Sequence, residues 1–135
     1  MRVKAIALGV VLALAVVAAP AASARSPVLV AVHQTGGFVG VDRNVVVRRS
    51  GAVTAENVHV STLSRARLTA LRAALEAARW RTLKSRYAPK VHVADGFQYA
   101  IAYGGRTIRI DQGATLPPRL ARPFVLLQRV AGLRS

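Results

Sequence analysis

Residues 97–111, FQYAIAYGGRTIRID, predict a β-hairpin and with it the class of fold. In the first arm, apolar side chains alternate with smaller or polar ones, and the apolar face holds Phe97, Tyr99, Ile101 and Tyr103. The pair Gly104-Gly105 supplies the positive φ angles of a two-residue turn, and the returning arm directs Ile108 and Ile110 inward. A hairpin with one apolar face belongs to a layered domain in which other elements cover that face.

Three further strands are predicted before this hairpin. Residues 27–34, PVLVAVHQ, are rich in β-branched residues without a helical stripe, and 38–49, FVGVDRNVVVRR, form a second strand that bends near Gly40 or around 42–44. Ser50-Gly51 indicates a turn, after which 52–60, AVTAENVHV, predict a short third strand.

Two helices complete the expected domain. Ser64 is a candidate N-cap for 65–80, RARLTALRAALEAARW, whose apolar stripe is Leu68, Leu71, Leu75 and Ala78. The segment 116–130, LPPRLARPFVLLQRV, predicts a terminal helix with Pro118 in its first turn and an inner face of Leu120, Phe124, Leu127 and Val130. Between the first helix and the hairpin, 81–96 are irregular and basic. The expected fold is α+β, an antiparallel sheet of four to five strands with two helices packed on one face.

The first residues have the pattern of a secretory signal peptide. A basic start, MRVK, precedes an apolar run that ends near Pro20. Ala22 and Ala24 then supply the two small residues that a signal peptidase recognises. We expect cleavage between Ala24 and Arg25, which leaves 25–135 as one secreted domain with no further membrane contact. The alternative of a membrane anchor is disfavoured because the uncharged run 5–24 barely reaches the length of about 20 residues that a span needs.

Composition restricts the chemistry of the domain. The chain has no cysteine, so disulfides cannot stabilise it. Its 20 Lys and Arg residues against five Asp and Glu residues give a net charge of +15, which favours acidic partners without selecting one class.

The sequence contains few groupings of residues that could carry out catalysis. The five acids are scattered singly, the serines lack a nucleophile-elbow context, and His33, His59 and His92 are far apart. The glycines of TGGFVG, 35–40, precede no helix and have no lysine where a phosphate-binding loop needs one. We therefore expect a binding protein rather than an enzyme, with no metal, cofactor or small-molecule substrate, and not a nucleic-acid binder.

Several motifs in order resemble the emfourin family, small protein inhibitors of protealysin and other thermolysin-like metalloproteases. They are TGGFVG after a first strand, Trp80 after a Leu-rich helix, DGFQYAI entering a strand, a glycine-turned hairpin, and LPPRLARPFVLL. The resemblance covers about residues 28–130, with Thr35 where the family most often has serine. The leader and the basic KSRYAPK stretch, 84–90, lie outside the family's common core.

The resemblance implies a protease-binding loop made of Gln34, Thr35, Gly36, Gly37 and Phe38. Phe38 would fill the apolar pocket of a secreted thermolysin-like protease, with Thr35 or a backbone carbonyl facing the zinc region. Glycines without side chains would let the loop approach the walls of the protease cleft closely.

Other interpretations stay open on the sequence. Gly36-Gly37 can be only a turn and Phe38 only a core residue, as we expect for Phe97 and Tyr99. The domain can also be an envelope accessory protein that has kept the fold without inhibition, since a fold does not fix a function. A third alternative is a basic binder of anionic polymers, whose affinity would fall steeply with salt.

Overall fold

The computed structural model describes residues 26–133. The predicted signal peptide, 1–24, and the cleavage-site residues Ala22, Ala24 and Arg25 lie outside this part of the chain. None of the helices between residues 26 and 133 is long and apolar enough to cross a membrane.

The centre of the molecule is one sheet in which seven strands follow the spatial order β4-β3-β2-β1-β6-β7-β5. The strands are β1 Val28–Gly36, β2 Val41–Arg48, β3 Ala52–Ala55, β4 Val58–Thr62, β5 Arg86–Tyr87, β6 Phe97–Tyr103 and β7 Arg106–Asp111. The hairpin predicted from residues 97–111 is confirmed, with Tyr103 opposite Arg106 across the Gly104-Gly105 turn. The long strand β1 lies between β2 and β6 and is antiparallel to both.

The α+β class is confirmed, and the sheet of the described residues has seven strands, one pair of them parallel, where four to five antiparallel strands were predicted. The expected third strand divides at Glu56 and Asn57, which both have positive φ, so that β3 and β4 form a hairpin of their own. In the segment expected to be irregular, Arg86 and Tyr87 pair in parallel with β7. The sheet is therefore mixed.

Both predicted helices are present. Helix α1 spans Arg65–Ala77, and the Ser64 side chain accepts a hydrogen bond from the Arg67 amide at 3.3 Å, which caps its first turn. A 3₁₀ turn, Trp80–Thr82, follows. Helix α2 spans Pro118–Ala131, with Pro118 in its first turn and Pro123 buried inside it.

One face of the sheet is covered by the two helices, as expected. The predicted stripes supply Leu71, Leu75 and Ala78 from α1 and Leu120 and Leu127 from α2, all buried against strand residues that include Val30, Val32, Val45, Val47, Ile101 and Ile108. Burial of this apolar surface is the main stabilising contribution, since the described chain has no disulfide. The other face is only partly covered and presents small and polar residues such as Ala31, His33 and Thr35.

The registers define two ends of the sheet. At the loop end, Gly36 of β1 lies opposite Phe97 of β6 and Val41 of β2. At the hairpin end, Val30 lies opposite Tyr103, next to the Gly104-Gly105 turn. At about 3.3 Å a residue, the two ends are separated by roughly 20 Å of strand.

Candidate functional site

The loop end carries a short turn, 37–40, between β1 and β2. The Gly40 amide donates a hydrogen bond to the Gly37 carbonyl at 3.0 Å, so the turn is closed by its own backbone. Phe38 and Val39 lie at its tip with 94% and 78% of their surfaces exposed. Phe38 is therefore not a core residue in this structure, and an aromatic ring so exposed on an ordered turn is available to a partner.

The glycines of the loop are required by the protein's own packing. Gly36 and Gly37 have φ angles of +97° and +76°, which side-chain-bearing residues rarely adopt. A Cβ atom on Gly36 would collide with the backbone oxygen of Gly96, and one on Gly37 would lie 2.6 Å from the Phe97 ring. Gly36 and Gly37 thus allow Gly96 and Phe97 of the same chain to approach closely.

Gln34 has a different place from the one expected for a contact residue. It is 1% exposed, the one buried polar residue in the described core. Its side chain is hydrogen-bonded to Tyr99, which is also bonded to Gln128 of α2. Burial raises the pKa of the Tyr99 hydroxyl above its usual 10.0, and the two amide hydrogen bonds offset part of that rise. Gln34 is therefore buried inside the protein, next to Tyr99.

Thr35 lies on the open face of the sheet, half-buried. In the register it is opposite Asp42, whose carboxylate is 2.6 Å from Nε2 of His33. With His33, Gln98 and Asp111, Thr35 lines a shallow depression on this open face.

Contacts on both sides hold the base of the turn. Arg43, just after the turn, donates from Nη1 to the Gly132 carbonyl at the end of α2 at 3.2 Å. On the other side, the Phe97 amide donates to the Gln112 side chain at 2.9 Å and the Gln112 amide donates to the Phe97 carbonyl at 2.8 Å. The strands on either side of β1 are therefore held near the turn by bonds to the end of α2 and to the residue after β7.

A second exposed apolar segment lies beside the turn and was missed in the sequence. Val91 and Val93 are 79% and 40% exposed, and the Val93 carbonyl accepts a hydrogen bond from the Gly96 amide at 3.2 Å. Because the Gly96 backbone packs against Gly36, residues 91–96 are neighbours of the 37–40 turn. The stretch PKVHVAD, 89–95, has no periodic pattern that distinguishes exposed valines from buried ones, so only the structure places them here.

Metal-binding and acid–base groups are dispersed in the part of the chain that the structure describes. Within residues 26–133, no three His, Cys, Asp or Glu side chains come together in a way that could hold a metal ion. His33 pairs with Asp42, and His59 with the Thr62 hydroxyl at 3.0 Å.

The described part of the chain is thus a small α+β domain that exposes the Phe38 ring at the tip of a closed turn. In comparisons with known proteins, the chain matches no family model and no curated protein sequence.

Proposed function

We propose that this protein is a secreted inhibitor of a thermolysin-like zinc metalloprotease and that the 37–40 turn enters the active-site cleft of the protease. The observation that carries the proposal is the exposed ring of Phe38 at the tip of a hydrogen-bonded turn. The ordered motifs that resemble emfourins point to the class of partner, whose cleft has an apolar pocket for a bulky side chain.

The stiffness of the turn favours inhibition over simple surface contact. A partner that binds a flexible loop must restrict it, at a cost of about 0.5–1.5 kcal/mol for each side chain immobilised. Here the backbone bond from Gly40 to Gly37 and the bonds at Arg43 and Phe97 already restrict the turn. Binding then retains most of the free energy gained by burying Phe38.

Val39, Val91 and Val93 extend the proposed contact around Phe38. All three are exposed, Val93 lies beside Gly96 at the loop end, and a cleft that accepts Phe38 would cover part of this apolar surface. Thr35 is placed at the side of the turn and Gln34 beneath it, so the direct contacts in this proposal are made by the tip and not by the whole stretch 34–38.

The test is inhibition of a panel of secreted thermolysin-like proteases by the wild type and by Phe38→Ala. We expect Phe38→Ala to raise the inhibition constant by about 30-fold, equivalent to about 2 kcal/mol, because an interface anchor is lost. Its melting temperature should stay at the wild-type value, since the ring makes almost no intramolecular contact. N-terminal sequencing of the protein recovered from the medium should begin at Arg25, as export requires.

Val58→Ala is the matched control, because Val58 is also exposed and apolar but lies on the edge strand β4. This variant should inhibit like the wild type. Equal inhibition by Phe38→Ala and the wild type would contradict the role of the ring. Failure to inhibit any protease of the panel would contradict the proposed function itself.

A further inference from the structure

A group of basic residues from three elements converges on the 3₁₀ turn at the hairpin end. Arg106 of β7 donates from Nη1 to the Trp80 carbonyl at 2.8 Å, and the Trp80 indole nitrogen donates back to the Arg106 carbonyl at 3.0 Å. Arg119, in the first turn of α2, donates from Nη1 to the Thr82 hydroxyl at 2.8 Å. The Thr82 hydroxyl in turn donates to the Arg79 carbonyl at 2.7 Å.

Through these contacts the Arg106 and Arg119 side chains and the Arg79 carbonyl lie around the 3₁₀ turn, and the same segment adds Arg81 and Lys84. We call these five residues the basic cluster. Four of them are exposed, and Arg106 is half-buried.

The cluster has no anionic partner within residues 26–133. The two ion pairs in that part of the chain are His33–Asp42 and Arg86–Asp111, and neither includes a member of the cluster. Glu76, one helical turn before Arg79, is the nearest acid along this segment. Like charges on the same short segment and its neighbours repel one another, so an anion bound among them would be stabilised.

The backbone of Arg79 adds an independent observation. It follows the last turn of α1 with φ 50° and ψ 61°, the left-handed conformation in which helices usually place glycine. An arginine there costs about 1 kcal/mol compared with glycine. The chain thus keeps a positive charge at a position where conformation alone favours glycine.

The chemistry of the side chains fits an oxyanion ligand such as phosphate. Four of the five members are arginines, whose planar guanidinium groups bind phosphate oxygens through two parallel hydrogen bonds. Arg106 and Arg119 each use one Nη1 within the protein, which fixes the side chain and leaves other N–H groups for a ligand.

Two other phosphate-bearing partners fit less well. A membrane surface is bound through apolar side chains as well as charge, yet Val28 is the single large exposed hydrophobic residue that lies beside the Gly104-Gly105 turn, and none lies in 79–84, 104–107 or 117–119 of the described chain. Single-stranded nucleic acid needs exposed aromatic rings for stacking, whereas Trp80 is buried and packs edge-to-face against Tyr103 at 5.7 Å.

We propose that the basic cluster binds a linear phosphate polymer without bases, such as a polyphosphate or a poly(polyol phosphate). The site lies at the opposite end of the sheet from Phe38, so the polymer and a protein at the 37–40 turn can be bound together. The proposal does not depend on protease inhibition.

The experiment uses long-chain inorganic polyphosphate as the probe and the triple variant Arg79→Gln, Arg81→Gln, Lys84→Gln. None of these side chains makes a hydrogen bond that stabilises the turn, so Arg106 and Arg119 stay in place. We expect the affinity to fall at least about tenfold near 150 mM salt, and the slope of log K against log salt to decrease by about 2 to 3, because three phosphate contacts are lost.

The matched control is Arg65→Gln, Arg67→Gln, Arg129→Gln, which removes the same charge elsewhere on the helices. Arg65 is about 20 Å of helix from Arg79, beyond the screening length of about 8 Å at this salt. The control should lose less than about twofold in affinity, and circular dichroism checks that both variants fold. If a melt shows the triple variant unfolded, Arg81→Glu alone should give at least a fivefold loss, by charge reversal.

Equal losses in the two triple variants would overturn the proposal, because binding would then follow net charge and not the cluster. It would also be overturned if the wild type failed to bind polyphosphate. Tighter binding to oligo(dT), or to vesicles containing phosphatidylglycerol, at equal phosphate concentration would assign the cluster to a nucleic acid or a membrane instead.

Discussion

Phe38 and Phe97 each follow a glycine, in GGF and DGF, but the structure gives them opposite environments. Phe97 begins β6 opposite Gly36, and its ring packs over Gly37. Phe38 lies two residues beyond the end of the ladder, in the turn, and is exposed. Phe97 therefore packs against the core, half-buried, whereas Phe38 does not, and Gly36 and Gly37 allow the 96–97 segment to approach the end of β1.

This packing makes Gly36 and Gly40 a matched pair for mutation. In Gly36→Ala the new methyl group meets the Gly96 carbonyl, which is backbone and cannot rotate away, so we expect a loss of about 2–3 kcal/mol in the free energy of unfolding. Gly40 also has positive φ, but nothing lies within 4 Å of the position that a methyl group would take, so Gly40→Ala should lose only about 1 kcal/mol. Urea unfolding measures both, and equal losses would contradict the packing argument. Gly37→Val is a less selective probe of the loop, because its side chain would displace the Phe97 ring.

At the scale of elements, local signals predicted the helices well and two strands poorly. Ser64 caps α1 and Pro118 begins α2 because both effects act within one turn of chain. The turn between β3 and β4 was missed because Glu56 and Asn57, not glycine, adopt the positive φ angles. Strand β5 has two residues, and its parallel partner β7 is more than twenty positions away in the chain, so no local pattern marks it.

The end of α1 offers a test that separates stability from binding. Arg79→Gly should raise the free energy of unfolding by about 0.5–1 kcal/mol, because glycine relieves the left-handed conformation. The same variant should bind polyphosphate more weakly, since one charge of the basic cluster is lost. Thermal melts and polymer affinity, measured on one preparation, check both effects. A variant that is more stable and binds polyphosphate as tightly as the wild type would exclude Arg79 from the site.

At the scale of the whole molecule, the apolar turn and the basic cluster occupy opposite ends of the sheet. Helix α2 links them, since Arg119 in its first turn contacts Thr82 and Gly132 at its end accepts a bond from Arg43. The two proposed partners would be bound by different forces. The protease would bury the Phe38 ring, whereas the phosphate polymer would contact exposed charges.

Salt should therefore separate the two activities. Between about 50 and 300 mM salt, protease inhibition should change less than about threefold, because burial of Phe38 is little screened. Polyphosphate affinity should fall at least about hundredfold over the same range, because several counterions are released on binding. Parallel titrations of inhibition and polymer binding give both slopes. Two slopes of the same size would contradict the assignment of the activities to separate ends.

The sequence by itself determined the α+β class, the hairpin of residues 97–111, both helices and most of their buried residues, because these depend on periodicity and on capping within a few residues. Tertiary structure alone decided that Gln34 is buried beside Tyr99, that Phe38 is exposed, and that Arg79, Arg106 and Arg119 meet around one turn. The physical reason is distance along the chain. Arg79 and Arg119 are brought together because α1 and α2 pack on the same sheet face. A local sequence pattern cannot predict a contact between residues so far apart in the chain.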